Sequence, residues 1–209
     1  MGGRPILGGM RILVLSAGLI VAGLLVANAA ELNEPAASEG GVATDESRPS
    51  RATRLDELFL RLQTADEENA AKEAERSIVA LWLESGSDTV DLLMRRTLAE
   101  IEDKNYALAL DYLDRIVTLK PDYAEGWNKR ATVHFLKDDY AKSVADIERV
   151  LALEPRHFGA LSGLGMILHD IGDEQRAIEA FESALAVNPR LEGARKSLDE
   201  IKGRGDKAI

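Results

Sequence analysis

The sequence predicts an all-α fold in which short antiparallel helix pairs stack into a solenoid. Pro121, Pro155 and Pro189 follow one another at intervals of 34 residues, and each ends a stretch long enough for two helices. A fixed period of this length is typical of repeat proteins, whose units cannot bury their apolar faces alone. Within each stretch, apolar residues recur three and four positions apart, which is the spacing of one helical face.

The same kinds of residue occupy matching positions in the three repeats. Small residues recur where two helices must approach closely, and large apolar residues recur beside them to fill the remaining space. The small ones are Ala109, Ala131, Gly165 and Ala177, and the large ones are Leu113, Trp127 and Phe181. Turn-forming runs at 103–105, 137–139 and 172–173 separate the two helices of each repeat. The proline then stops the second helix because it has no N–H to donate.

The third repeat carries the fullest motif, which reads Leu161-x-x-Leu164-Gly165-x-x-Leu168, then Ala177-x-x-x-Phe181, Ala184 and Pro189. This pattern resembles the tetratricopeptide repeat (TPR), whose signature is W-x-x-L-G-x-x-Y, A-x-x-x-F and a final P. The first repeat departs furthest, with Thr97 in the small position and Glu100 in the aromatic one. The resemblance implies a right-handed α-α superhelix over residues 88–203, with repeats at about 90–123, 124–157 and 158–191 and a capping helix at 192–202.

Residues 53–87, ahead of the repeats, predict a further helix pair. Apolar residues recur at helical spacing from Leu55 to Leu62 and again from Ala70 to Trp82. No proline closes this pair, and Ser87 stands where it would be. We therefore expect a degenerate N-terminal unit at the end of the stack, where repeat proteins usually carry an atypical and more polar unit.

The first 29 residues are predicted to be a secretory signal peptide, with a basic start, an apolar stretch from Ile12 to Val26 and a small-residue cleavage site at Ala27-Asn28-Ala29. The alternative is an uncleaved membrane anchor, because the 19 residues from Ile12 to Ala30 carry no charge and could span a bilayer. Residues 30–52 are rich in Glu, Ser, Pro, Gly and Ala and are predicted to be a disordered linker. The mature chain is thus expected in the bacterial periplasm, or else anchored to the inner membrane and facing it.

The charge and composition of the chain make several classes of partner and of chemistry unfavourable. The chain has 26 basic and 36 acidic side chains, and removal of residues 1–29 would take away two arginines and no acid, leaving a formal charge of −12. Such a surface disfavours nucleic acid and anionic lipid as partners. Cysteine is absent, and the three histidines lack metal-ligand spacing. We expect His134 to pack between helices and His157 to be structural or exposed. No nucleophile with an oriented base is evident, so neither catalysis nor a cofactor or metal is expected.

The resemblance also implies that the first helix of each repeat lines a concave groove for a protein or peptide partner. Alignment transfers these residues to the groove: Arg95, Leu98, Asn128, Lys129, Thr132, Phe135, Ser162, Met166 and His169. Family members that clamp a terminal carboxylate use Lys, Asn and Arg at positions where this chain has Met94, Leu98, Gly159 and Gly163. We therefore expect a mixed polar and apolar groove without that clamp, although the same residues would also suit ordinary solvated helix positions. The alternative function is an assembly subunit of an envelope complex, held by its N-terminal helix.

Overall fold

The computed structural model describes residues 49–205, and these residues contain nine α-helices and no β-strand. In chain order the helices are α1 (Arg51–Thr64), α2 (Glu68–Leu83), α3 (Asp88–Glu102), α4 (Tyr106–Leu119), α5 (Ala124–Leu136), α6 (Tyr140–Leu153), α7 (Phe158–Asp170), α8 (Glu174–Val187) and α9 (Glu192–Gly205). The predicted signal peptide at 1–29 and most of the predicted linker at 30–52 lie outside the described residues. Helix α1 begins at Arg51, inside the range predicted as linker.

Three turns of the same geometry join α3 to α4, α5 to α6 and α7 to α8. The second residue after each first helix has a positive φ angle, which is 59° at Lys104, 57° at Asp138 and 82° at Gly172. The next N–H returns to the helix, as when Asn105 donates to the carbonyl of Glu100 at 2.8 Å. These turns are therefore left-handed helix caps that satisfy the last carbonyls. Only the third uses glycine, which reaches this conformation without a steric cost.

The small position predicted in each repeat permits close approach within a helix pair. A Cβ atom added at Gly165 of α7 would lie 2.7 Å from Cε1 of Phe181 on α8, whose side chain is only 1% exposed. Ala131 of α5 is also buried, and its carbonyl accepts a 2.8 Å hydrogen bond from the Ser143 hydroxyl on α6. Glycine and alanine thus let the two helices of a pair meet, as the repeat pattern predicts.

Trp127 departs from the predicted packing because its ring is only half-buried. The indole lies on the outer side of α5, between the Arg130 and Arg149 guanidinium groups, which are 4.7 Å and 5.5 Å from the ring centroid. Its Nε1 donates to the carbonyl of Pro121 at 3.0 Å. The large residue at this position therefore covers the outside of the repeat instead of filling the space between paired helices.

Successive pairs stack because the first helix of each repeat packs against the second helix of the repeat before it. A small residue near the start of each first helix makes this contact close, and Gly126, Ala160 and Ala194 are all buried there. Helix α9 continues the same pattern and covers α8 with the buried side chains of Ala194, Leu198 and Ile201. Its remaining side chains are mostly exposed, as suits the last helix of a stack.

Helices α1 and α2 form an antiparallel pair that we call the N-terminal hairpin. Its position differs from the end unit expected from the sequence. The hairpin packs mainly along the three turns that join one repeat to the next, which we call the turn edge, defined by Tyr123, His157 and Leu191. These three residues are 34 positions apart, so each repeat presents one large side chain to the hairpin in turn.

The contacts between the N-terminal hairpin and the turn edge extend over its whole length. The Tyr123 hydroxyl donates to the carbonyl of Leu83 at 2.8 Å, and the His157 ring stacks on the Trp82 ring with centroids 4.1 Å apart. At the other end, the Arg190 guanidinium donates to the carbonyl of Ala65. The apolar face of the hairpin matches a row of side chains with the repeat period, and this match accounts for its position beside the stack.

Candidate functional site

The face formed by the first helices contains a small cavity of about 80 Å³ between α5 and α7, which we call the inner groove. Its lining comprises Asn128, Ala131, Thr132, Phe135, Ser143, Ile147, Gly159, Ala160, Gly163, Met166 and Ile167. Gly159 and Gly163 lie one helical turn apart on α7. A Cβ at Gly163 would approach Ile147 no closer than 3.8 Å, so the glycine leaves real space above the floor. The floor of the groove is therefore bare backbone and small side chains.

Four of the nine residues predicted for the site meet in the inner groove: Asn128, Thr132, Phe135 and Met166. Met166 is 40% exposed and lies on the α7 side, while the half-buried Phe135 ring lies on the α5 side. Phe135 is held in place by the Tyr140 ring, with centroids 5.8 Å apart. Two apolar side chains on either side of an open floor suit contact with an apolar side chain of a ligand.

The other five predicted residues, Lys129 of α5 among them, lie outside the lining of the inner groove. Arg95 and Leu98 are exposed on α3, and Leu98 retains 37% of its accessible surface. Ser162 and His169 are half-buried on α7. All four are on first helices, as the repeat register requires, but the structure does not bring them to the cavity.

Lys129 and Asn128 turn towards a buried carboxylate. Glu125 is 3% exposed, and its two oxygens receive Lys129 Nζ at 2.8 Å and Asn128 Nδ2 at 3.0 Å. His157, in the turn that leads into α7, places its Nε2 3.0 Å from the same carboxylate. The polar groups predicted to face a ligand are thus already engaged in a network inside the protein.

The partners of His157 fix its tautomer. The backbone N–H of Ala160 donates to Nδ1 at 3.1 Å, so Nδ1 is an acceptor and Nε2 carries the hydrogen that is donated to Glu125. Burial alone would raise the pKa of Glu125, but the hydrogen bond from His157 and the positive charge of Lys129 outweigh it and hold the pKa below its ordinary value. The network therefore retains a buried negative charge balanced by lysine.

His134 has a different environment, on α5 and in contact with α6. It is 9% exposed, and its Nε2 lies 4.0 Å from the Asp146 carboxylate. Burial lowers the pKa of His134 even though Asp146 acts in the opposite direction. The residue therefore packs between helices, as the sequence predicts. His157 is buried as well, so of its two expected positions the structural one is observed.

The sequence reasoning missed the joint at which Trp82, His157 and Glu125 meet. Trp82 contacts both Phe59 and Phe158 in addition to stacking on His157. One signal could have found this joint: a large side chain stands two residues after each repeat proline, at Tyr123, His157 and Leu191. Tyr123 and Leu191 also contact the cores of neighbouring helix pairs, but a large side chain repeated at each turn indicates an additional packing partner along that edge.

We expect Glu125→Gln to lower the free energy of unfolding by about 1–3 kcal/mol at pH 7, because it removes the charge that pairs with Lys129 while keeping the shape. The folded-state pKa of Glu125 is depressed, so its charge stabilises the fold above the ordinary Glu pKa of about 4.3, and this stabilisation is lost as pH falls through the folded-state value. Urea unfolding at pH 7, 5 and 3.5 should show the difference from wild type shrinking only at the lowest pH. The exposed Glu57→Gln is the control, and a pH-independent difference would contradict the assignment.

A sequence model of the tetratricopeptide repeat matches residues 128–192. A TPR repeat-containing protein of Rhizobium etli is 42% identical over 138 residues, which cover 65% of this chain and 68% of that protein. The chain belongs to the tetratricopeptide-repeat family. The family prediction made from the repeat motif is therefore confirmed.

Solved structures share the TPR fold at low sequence identity. The TPR domain of Sgt2 from Aspergillus fumigatus is 22% identical with a TM-score of 0.55, and the match covers 58% of this chain and 82% of that domain. MamA is 21% identical with a TM-score of 0.53, covering 70% and 84%. The first TPR of Spaghetti (RPAP3), bound to an HSP90 peptide, is 19% identical with a TM-score of 0.53, covering 55% and 91%. The predicted all-α TPR superhelix is confirmed.

Across the part of the TPR chain that the structure describes, every helix is too short or too polar to cross a bilayer.

Proposed function

We propose that this chain is a non-enzymatic interaction protein that binds a peptide segment of a partner protein in the inner groove. The observation that carries the proposal is the open floor at Gly159 and Gly163 between Phe135 and the 40%-exposed Met166. Apolar side chains beside an accessible floor can receive one or two side chains of an extended or helical segment. Methionine suits such a surface because its flexible side chain adapts to different ligands.

The groove chemistry supports an apolar anchor on the ligand more than a carboxylate. Lys129 and Asn128 of α5 are bound to Glu125, and on α3 the buried Met94 and the exposed Leu98 stand where a carboxylate clamp has lysine and asparagine. The structure of Spaghetti (RPAP3) with the HSP90 peptide SRMEEVD supports a peptide as the class of partner for this fold. In our proposal the peptide is held here through apolar contacts over the glycine floor, with Thr132 and Asn128 at the edge.

We further propose that the protein acts in the bacterial envelope, exported by its N-terminal segment. The basic start, the apolar stretch from Ile12 to Val26 and the Ala27-Asn28-Ala29 site support cleavage and release into the periplasm. Mass spectrometry of the mature N-terminus tests this: a chain that starts near Ala30 supports release. A chain that retains Ile12 would favour an anchored subunit of an envelope complex instead.

Met166→Glu is expected to weaken capture of the partner at least about tenfold, because a charge would be placed against the apolar part of the ligand. Its melting temperature should stay close to that of the wild type, since the side chain is exposed. A photo-reactive residue at position 166 would identify the partner segment by crosslinking in envelope extract. Leu60→Glu, at an exposed leucine of α1, is the matched control. Equal capture by both variants would overturn the placement of the ligand in the inner groove.

A further inference from the structure

A second, larger groove lies on the opposite side of α7, between α6 and α8, and we call it the outer groove. Its volume is about 600 Å³, and its floor is formed by Leu161, Leu164 and Leu168 of α7. Val144 and Leu151 of α6 extend the apolar surface on one side. The outer groove shares only Ile147 and Ile167 with the lining of the inner groove, and those two residues are buried between them.

Each repeat has an acidic residue at the same position of its second helix: Asp114, Glu148 and Glu182. In two of the three repeats a cation of the following helix pairs with it. Arg130 Nη1 lies 2.9 Å from Asp114 Oδ1, and Lys202 Nζ lies 2.8 Å from Glu182 Oε1. Glu148 lines the outer groove and has no ion pair with any residue between 49 and 205, because the helix that follows it offers leucines.

The equivalent groove one repeat earlier, between α4 and α6, is filled by the protein's own side chains. Trp127 lies there beneath Arg130, and Arg130 forms two hydrogen bonds with the Asp146 carboxylate, at 2.8 Å and 2.7 Å. In the outer groove, Leu161 stands in place of Trp127 and Leu164 in place of Arg130. An aromatic ring and a guanidinium are thus replaced by two shorter aliphatic side chains, and the groove stays open.

We propose that the outer groove is a second docking site, and that it takes a segment of a partner protein with an arginine or lysine close to a large apolar or aromatic side chain. The partner's cation pairs with Glu148, and its apolar side chain covers the leucine floor. This partner chemistry is the one that the protein itself uses in the equivalent groove, with Trp127 and Arg130 three positions apart. A cationic partner segment is also attracted by the chain as a whole, which carries a formal charge of −10.

The proposal does not depend on the inner groove, because the two surfaces lie on different sides of α7. A suitable probe is the fluorescein-labelled peptide Gly-Trp-Ala-Ala-Arg-amide, which reproduces the spacing of Trp127 and Arg130. Its binding to the full chain is measured by fluorescence anisotropy. The matched probe Gly-Trp-Ala-Ala-Glu-amide should bind about fivefold or more weakly, as expected for the loss of one partly exposed ion pair.

Two variants test the site in the protein. Leu164→Arg places a guanidinium group of the protein itself beside Glu148. We expect this group to pair with Glu148 and to reduce peptide binding at least about tenfold. Glu148→Gln changes an exposed side chain, should leave the melting temperature near that of the wild type, and should weaken binding about fivefold. Because Glu148→Gln tests the same contact, the proposal stays testable even if Leu164→Arg folds poorly.

The control is Met166→Glu, which alters the inner groove and should leave the binding of this peptide unchanged. Wild-type affinity in both Glu148→Gln and Leu164→Arg would overturn the outer site. The outer groove could instead bind a second copy of the chain, and sedimentation equilibrium tests this. A dimer of the full chain that Leu164→Arg dissociates would assign the groove to a second copy and would also overturn the proposal. Monomeric wild-type protein with peptide binding lost in the variants supports it.

Discussion

Trp82→Ala is expected to lower the free energy of unfolding by about 3–5 kcal/mol, because a buried aromatic ring is lost from a packed joint. The ring is 4% exposed and contacts aromatic rings of both the N-terminal hairpin and the repeats, including His157 and Phe158. Its removal leaves a cavity at the joint and detaches the hairpin from the turn edge. Urea unfolding monitored by circular dichroism measures the loss.

Amide hydrogen exchange should distinguish detachment from general loosening. After Trp82→Ala, exchange in α1 and α2 should accelerate more than exchange in α5 to α8, since the repeats retain their own stacking contacts. The other tryptophan is the matched control: Trp127→Ala removes a half-buried ring and should cost only about 1–2 kcal/mol, chiefly its contacts with Arg130 and Arg149. Equal losses from the two substitutions would contradict the described joint.

Phe181→Ala is expected to cost about 3–5 kcal/mol, because the 1%-exposed ring fills the space above Gly165 and its loss leaves a cavity between α7 and α8. Gly165→Ala alone should destabilise by about 1–3 kcal/mol, since the new methyl group would meet the ring at 2.7–2.9 Å. Thermal and urea unfolding of both single variants and the double variant measure these values.

The two residues should be strongly non-additive. In the Phe181→Ala background the ring is gone, so Gly165→Ala adds a methyl group to empty space and should restore part of the lost stability. Met166→Ala, at the neighbouring exposed position of α7, is the control and should change stability by less than about 0.5 kcal/mol. A double variant with the sum of both losses would show that the ring does not lie over Gly165.

The helix pairs could be predicted from the sequence because their causes are local. Proline ends a helix through its own missing N–H, and Gly165 marks close approach because any larger residue would meet Phe181. The repeat register then predicts that Phe135 and Met166 lie on the same face, and no knowledge of long-range contacts is needed. Such features depend on residues a few positions apart or on a fixed period, and both can be read directly.

The position of the N-terminal hairpin could not be read in the same way. Trp82 has the helical spacing of any core residue, and nothing near it in the chain indicates that its neighbour is His157. A similar limit applies to Lys129: its alignment position faces the groove, yet the side chain turns to Glu125, which is buried and is bound by His157 from the turn before α7, 32 residues along the chain. The spacing of Glu125 and Lys129 is local, but the burial of Glu125 depends on His157, and the position of Trp82 also depends on His157; both contacts join residues distant in sequence.

The length of the N-terminal hairpin limits how this protein can evolve. Repeat proteins commonly gain or lose whole units by duplication or deletion, since each unit touches only its neighbours. Helix α2 has 16 residues and is therefore about 24 Å long. The hairpin already contacts the turn edge from Tyr123 to Leu191. An additional 34-residue repeat between Tyr123 and Leu191 would move these two residues too far apart for the N-terminal hairpin to contact both. A protein with this arrangement and more repeats would therefore need a longer N-terminal hairpin, or part of its turn edge would stay uncovered.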